Sequence, residues 1–510
     1  MRTFKAALRA SGTHALVSLA LALMFTLAAL QSGGSVRSEI PLGVGLLLAV
    51  LPWPGLLVLS AFPGRPVSEG LGFSKSDHLV RRTRLSATAV GVLVLVCALA
   101  VALHVQLWIR AVLIISAIAI ASVATFHLVR ILGSMKRQRA ALRRAIGEFG
   151  PEFILYTGRP EGGAYQIQQW LPQLLAISPR VLVVVRHQSA VHRLAPVLPE
   201  GVPLVCCQEN QDLDDVVIPS VRAAFYVNSV TSNANLVSYR GIHHIYLGHG
   251  DSDKEISAHP VHRMYDAIFV AGQAAIDRYA MHKVHLDDGQ ARIIGRPQLE
   301  GIERVTDPPS SPKTVLYTPT WSGYNQATSL SSLAFAQPFI ADLITRGIRV
   351  LFRPHPFSQA GSTDAVHVAA IDAQLAADGG AHMGSKVTSS MSLIDLFNVS
   401  DAMVTDVSSV LIDYLAAEKP VAVLISTGSV PGENPKPHSS MASEAASRYP
   451  SIRHAYLADS PTADAWKQML TSDFKRESRE RAAAYYLGGT SSSLFREAVQ
   501  SLGSAAGPSS

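Results

Sequence analysis

Two hydrophobic rhythms divide the chain near residue 130. Before it, four stretches run without Asp, Glu, Lys or Arg: 10–36, 40–64, 85–109 and 111–129. Each reaches the roughly 17–25 apolar residues that take a helix across a bilayer, where the helix satisfies its own backbone hydrogen bonds without water. The pattern predicts four transmembrane helices. Their connections are a short segment around Arg37, a longer one holding Arg65, Lys75, Arg81, Arg82 and Arg84, and a tight one holding only Arg110.

From Phe153 the rhythm changes to short apolar, β-rich runs separated by loops and amphipathic stretches. This is the signature of parallel sheets built from βαβ units, whose strands are buried on both faces. Strands are predicted at 153–156, 181–185, 203–206, 224–227, 244–247 and 267–270, forming one Rossmann-like domain. A loop rich in Pro and Ser, 307–312, introduces a second series at 314–317, 349–352, 402–405 and 421–424, with helices such as 333–345 and 409–417 between them. The expected division is a membrane domain at 1–130, a basic segment at 131–150, α/β domains at 151–300 and 301–500, and a disordered tail at 501–510. Ligands of open α/β sheets bind beyond the carboxyl ends of the strands, so a cleft between the two α/β domains is the expected site.

Charge orients the membrane part. Basic residues cluster at the N-terminus (Arg2, Lys5, Arg9), in the second loop, and after the fourth helix (Lys136, Arg137, Arg139, Arg143, Arg144). By the positive-inside rule all three clusters face the cytoplasm, consistently with an even number of crossings, and the large C-terminal region is cytoplasmic. A cleaved signal peptide is the alternative reading of the first helix, and it leaves the side of the later domains unchanged. No Asp or Glu lies within a span, so anchoring is favoured over transport. The net charge of +6 is largely that of the juxtamembrane clusters, which suit anionic lipid heads and do not point to nucleic acid. Cys97, Cys206 and Cys207 offer neither a disulfide framework nor a metal-ligand spacing.

Three strand-end loops carry candidate chemistry. In Gly248-His249-Gly250 the imidazole is presented between glycines that allow close substrate approach, and a histidine there suits proton abstraction from an alcohol. Asp251 and Asp253 are candidates to orient it, and Lys254 to meet a phosphate; a solvated turn is the structural alternative. In Arg353-Pro354-His355-Pro356 the prolines restrict the backbone around His355, and Arg353 adds a planar cation for a diphosphate. A rigid turn explains the same residues. Thr405-Asp406-Val407-Ser408-Ser409 joins a strand to a helix whose free N–H groups and dipole attract phosphate, with serine hydroxyls as further donors. Helix capping by Asp406 or Ser408 is the competing explanation. Tyr317-Thr318-Pro319-Thr320-Trp321 ends the second domain's first strand, where Trp321 lines a cleft or packs a core.

Together these segments resemble the CDP-glycerol glycerophosphotransferase family, the enzymes that prime and polymerise teichoic acids. The resemblance lies in His249-Gly250, Pro319-Thr320-Trp321, His355-Pro356 and Thr405 to Ser409, in that order, followed by Asp413 and Lys419-Pro420. It implies a GT-B type pair of domains, no cofactor and no metal, a CDP-activated polyol donor, a lipid-linked acceptor at the membrane, and attack of an acceptor hydroxyl on the donor's β-phosphorus with departure of CMP. Carried over by position, His249 is the general base, His355 stabilises the diphosphate, Arg353, Thr405, Asp406, Ser408 and Ser409 bind donor phosphate, and Gly250, Asp251, Asp253, Lys254, Thr320, Trp321 and Asp413 support them. The chain departs from the pattern after His-Gly, where Asp251-Ser252-Asp253-Lys254 replaces the usual Thr-Pro-Leu-Lys, and in its four predicted spans. A GT-B nucleotide-sugar glycosyltransferase and a non-catalytic membrane scaffold are the alternatives.

Overall fold

The computed structural model describes residues 67–71, 106–159, 163–248, 250, 253, 255–304, 312–322, 330–358, 362–425, 445–458 and 468–503. The predicted spans at 10–36 and 40–64, most of that at 85–109, and His249, Asp251 and Lys254 lie outside these residues.

In chain order the strands are β1 (Val67–Glu69), β2 (Phe153–Thr157), β3 (Val181–Val185), β4 (Leu204–Cys206), β5 (Ala223–Tyr226), β6 (His243–Tyr246), β7 (Ala267–Val270), β8 (Ala291–Ile293), β9 (Thr314–Thr318), β10 (Arg349–Phe352), β11 (Ala402–Thr405), β12 (Val421–Leu424) and β13 (Tyr456–Ala458). The helices used below are α1 (Leu107–Phe149), α2 (Ala164–Leu175), α3 (Gln273–Met281), α4 (Ala336–Thr345), α5 (Ala365–Asp378), α6 (Leu393–Val399), α7 (Ser409–Tyr414), α8 (Arg476–Leu487) and α9 (Ser493–Gln500).

The chain forms two units. The first comprises Met1–Gly150, Val185–Val191 and Pro199–Ile218. Its described part holds α1, a continuous helix of 43 residues, and the antiparallel pair of β1 with β4. The helix begins at Leu107, so Arg110, expected in the connection before the fourth stretch, lies within its first turn. Trp108, Val112, Ile115, Val123 and Phe126 are exposed on its first half. Among the described residues, no helix is long and apolar enough to cross a membrane. On the basic half, Arg139 and Arg143 both donate to Asp215, and Arg139 also donates to the Gln211 carbonyl. The two cysteine thiols are buried here; burial pushes Cys206 up to about 12 and raises Cys207 as well, which makes both unreactive.

The second unit, Pro151–Val184, His192–Leu198 and Pro219–Ser510, contains two parallel sheets, each the centre of a lobe. In the first lobe the strands run β3-β2-β5-β6-β7-β8, with the order reversing beside β2. In the second they run β10-β9-β11-β12-β13, reversing beside β9. The cause is compositional: β2, β3, β5, β7, β11 and β12 are buried at every position, as strands covered on both faces must be. Phe339, Ile340 and Leu343 of α4 and Ile371 and Leu375 of α5 cover one face of the second sheet, while Leu411, Ile412 and Tyr414 of α7 belong to the core on the other.

The last helices return to the first lobe. Phe495 of α9 packs on Trp170 of α2 and Phe269 of β7, with ring centroids at 5.4 and 6.2 Å. A Cβ at Gly272, before α3, would lie 2.5 Å from the Tyr485 carbonyl oxygen, so α8 meets α3 at a point only glycine permits. Tyr485 also donates to Asp277 across this contact, at 2.6 Å.

Candidate functional site

In an open sheet the crevice for ligand opens where strand order reverses. In the second lobe that point lies between β9 and β11, whose following loops carry Pro319-Thr320-Trp321 and Asp406 to Ser409. The two loops are sewn together. Thr405 Oγ1 donates to the Thr318 carbonyl at 2.7 Å, and Asp406 Oδ2 accepts from the backbone N–H of Thr320 at 2.8 Å and of Ser332 at 3.1 Å. Both side chains are fully buried. The described contacts of Thr405 and Asp406 therefore tie the two loops together, and a carboxylate beside a phosphate would repel it.

Ser408 and Ser409 differ. Both are half-buried, and α7 has no side-chain cap. Capping by Asp406 or Ser408, the competing explanation, is not what the structure contains. The described contact of Ser408 Oγ is with Thr405 Oγ1 at 3.3 Å, and the first N–H groups of α7 have no side-chain cap.

The loop after β10, on the other side of β9, presents His355. Its backbone N–H donates to the Pro319 carbonyl at 3.2 Å, and its Nδ1 accepts from the Phe357 N–H at 3.1 Å. A nitrogen that accepts carries no proton, so in the neutral ring the proton sits on Nε2, which is then the donor nitrogen. Two strand spacings separate this loop from that of Ser408, about 10 Å. Trp321 stacks beside His355 with centroids at 6.3 Å and meets Phe357 edge-on at 5.2 Å. Arg353 is turned elsewhere: Nη1 donates to the carbonyls of Thr388 and, at 2.6 Å, Met391. Burial lowers its pKa. Its described contacts brace the segment below β10 and are not in the crevice where a phosphate contact was expected.

The first lobe reaches this place twice. Tyr165 of α2 stands edge-on to His355 at 6.4 Å and to Phe357 at 6.2 Å. Gly250 lies against the start of α7, where an added Cβ would be 3.0 Å from Ser409 Cβ and 3.9 Å from Arg296 Nη2. Trp170 Nε1 donates to the Gly248 carbonyl at 2.8 Å. Gly248 and Gly250 are thus each held by a neighbour, one from the first lobe and one from the second. One oxygen of Asp253 pairs with Arg278 at 3.5 Å and the other accepts from the Ser451 N–H at 2.6 Å, joining the lobes.

Beyond the predicted residues, the structure brings in Tyr165, Trp170 and Arg296. Arg296 pairs bidentately with Asp413, Nε to Oδ1 at 2.9 Å and Nη2 to Oδ2 at 3.2 Å, both side chains buried. Arg296 follows Gly295 immediately after β8, the same strand-end signal that singled out His249 and His355. Lys419 is structural: buried, it donates to the carbonyls of Phe397, Asn398 and Ser400, neutralising the C-terminus of α6.

In the second lobe the serine-led α7 thus starts at the strand-order reversal, and His355 stands on the loop of the adjoining strand β10. Residues 296–426 match the family described as CDP-Glycerol:Poly(glycerophosphate) glycerophosphotransferase. No curated protein matches the chain. Among solved structures it is similar to a CDPG-soaked variant of the wall teichoic acid polymerase TagF, at 13% identity and TM-score 0.47 over 74% of this chain and 95% of that one. It is also similar to TagF without that addition, at 13% identity and TM-score 0.44 over the same shares. A UDP-N-acetylglucosamine 2-epimerase follows at 14% identity and TM-score 0.40 over 69% of this chain and 95% of that one. Likeness of this degree assigns no substrate.

Proposed function

We propose that the chain is a membrane-anchored transferase that moves glycerol phosphate, or another polyol phosphate, from a CDP-activated donor to a hydroxyl of a lipid-linked acceptor in synthesis of teichoic acid or a related cell-envelope polymer. The observation that supports this reading is the approach of Gly250, the residue after His249 in the chain, to Ser409 of the other lobe, a serine inside the family match.

In the reaction so read, His249 takes the proton of the acceptor hydroxyl as the oxygen attacks the donor's β-phosphorus. The bond from that phosphorus to the bridging oxygen breaks, and CMP leaves with the electron pair. His355 donates from Nε2 to the diphosphate, offsetting the charge that gathers on the departing CMP, and Ser408, Ser409 and the first N–H groups of α7 hold a phosphate. General base catalysis of this kind is worth about 10²–10⁴ in rate. Trp321 and Tyr165 wall the crevice beside His355, and excluding water there protects an activated phosphorus from hydrolysis.

Four spans anchor the enzyme, with the catalytic lobes on the cytoplasmic side in the GT-B arrangement that the resemblance implies. The exposed apolar first half of α1 and the basic residues from Lys136 onward support the anchor. Tethering raises the enzyme's local concentration near an acceptor that cannot leave the bilayer.

The test is to incubate the full chain in detergent with a lipid-linked acceptor and radiolabelled CDP-glycerol, CDP-ribitol or UDP-sugars. Release of CMP with label entering the lipid fraction is expected. Release of UDP alone would establish the glycosyltransferase reading, and no turnover with any donor would contradict both. A reporter fused after Ser510 should be cytoplasmic; an extracytoplasmic signal would overturn the topology.

A further inference from the structure

We propose that Arg296 and Asp413 are positioning residues whose buried pair sets the register between the Gly250 turn and Ser409. The inference rests on the proposed transfer reaction for its kinetic consequence, and on geometry alone for the register itself.

Asp413 lies four residues after Ser409 on α7, hence on the same face of the helix one turn further on. Arg296 stands at the end of the first lobe's sheet, its backbone N–H fixed by the Gly489 carbonyl at 2.8 Å. Its fork reaches Asp413 through two bonds, at 2.9 and 3.2 Å. Nη2 of that fork is also 3.9 Å from where a Cβ on Gly250 would stand, and Ser409 Cβ is 3.0 Å from the same point. Three elements thus meet at one spot: the turn after β6, the segment after β8, and the start of α7. Trp170 holds the far side of the turn through Gly248.

An ion pair is a poor choice for adhesion alone. Removing both charges from water is costly, and apolar side chains of equal volume hold packed elements at least as well. What two parallel N–H···O bonds add is fixed distance and fixed angle. The place where they do so is the contact between the turn assigned to the base and the helix assigned to the donor phosphate. Misplacement of reacting groups by about 1 Å costs about 10² in rate, so a register lock there acts on turnover while leaving each lobe's own binding intact.

The experiment uses the full chain in detergent. The double variant Arg296→Met/Asp413→Leu removes both charges and keeps the volume, and Arg296→Lys keeps the charge without the fork. In each, CMP release from CDP-glycerol is followed for kcat and KM, and hydrogen exchange is followed in peptides covering residues 243–250. The expected result is a kcat lower by about 30-fold or more in the double variant and about tenfold in Arg296→Lys. KM for CDP-glycerol should stay within about twofold, thermal midpoints near wild type, and exchange in the turn should rise. Unchanged kcat, or unchanged exchange, overturns the proposal. A parallel loss of kcat, affinity and thermal midpoint in Arg296→Lys would show a merely structural pair and overturn it too. If the wild type transfers nothing, the reaction reading fails by itself, and the exchange measurement still decides whether the pair sets the turn.

Discussion

Gly250 and Ser409, which belong to different lobes, touch so closely that a single methyl group on Gly250 would stand 3.0 Å from Ser409 Cβ. The glycine also has φ +151°, a conformation that side chains with a Cβ rarely adopt. The residue after His249 thus takes a side chain only if Ser409 gives way by a few tenths of an ångström and the backbone bears the strain of that φ.

Gly250→Ala should therefore push the turn from α7 and reduce CMP release by about 10², with the two lobes still folded. Steady-state turnover and the thermal midpoint, measured together, check this. An alanine enzyme of wild-type rate would mean that the contact has no part in turnover.

Ser408→Ala and Ser409→Ala are expected to weaken CDP-glycerol binding with little change in thermal midpoint, because neither hydroxyl caps α7. Each lost hydrogen bond to a charged group amounts to about 1.5–3 kcal/mol, or roughly 10- to 100-fold in Kd. Isothermal titration with CDP-glycerol reads it directly, and an unchanged Kd in both variants would remove the serines from the donor site.

Asp406→Ala and Arg353→Ala should behave oppositely. Asp406 accepts from two buried N–H groups, and Arg353 donates to two carbonyls. Removing either leaves backbone groups without partners, at a cost of about 1–3 kcal/mol each. Denaturant unfolding should show the loss in stability. Normal stability with lost donor affinity would return these residues to the phosphate site.

The sheets were the most legible part of the molecule. Strands predicted at 181–185, 267–270, 349–352, 402–405 and 421–424 are observed at those residues, and the others differ by one residue. Buried parallel strands read as plain apolar runs, which is why. The short β1, β8 and β13 were not predicted: each has three residues, and β8 carries the exposed Ile293 and an arginine, so no apolar run marks it. The return of α8 and α9 to the first lobe was equally invisible, because α8 is rich in Arg and Glu and its docking depends on the bare backbone at Gly272. At the site, motif order located the loops, while the division of labour within them was not readable. Whether Thr405, Asp406 and Arg353 face a ligand or a backbone carbonyl is decided by contacts 35 to 87 residues away in sequence.

Stability should decline on acidification below neutral pH. Burial lowers the His262 pKa to about 3 and lowers those of His244 and His454 as well, so the unfolded chain binds protons that the fold excludes. The contribution is fully present above the unfolded histidine value near 6.5, falls as pH drops below it, and for His262 is exhausted near pH 3. Thermal midpoints from pH 7.5 to about 5 should fall, less steeply in His262→Gln. An equal slope in that variant would contradict the assignment.

The most direct test of the two-histidine account is single-turnover CMP release from CDP-glycerol by wild type, His249→Ala and His355→Ala, with donor binding measured in parallel. Both variants should lose about 10² to 10⁴ in rate. His249→Ala should bind CDP-glycerol as wild type does, and His355→Ala more weakly. Wild-type turnover in either variant, with the fold intact, would contradict it.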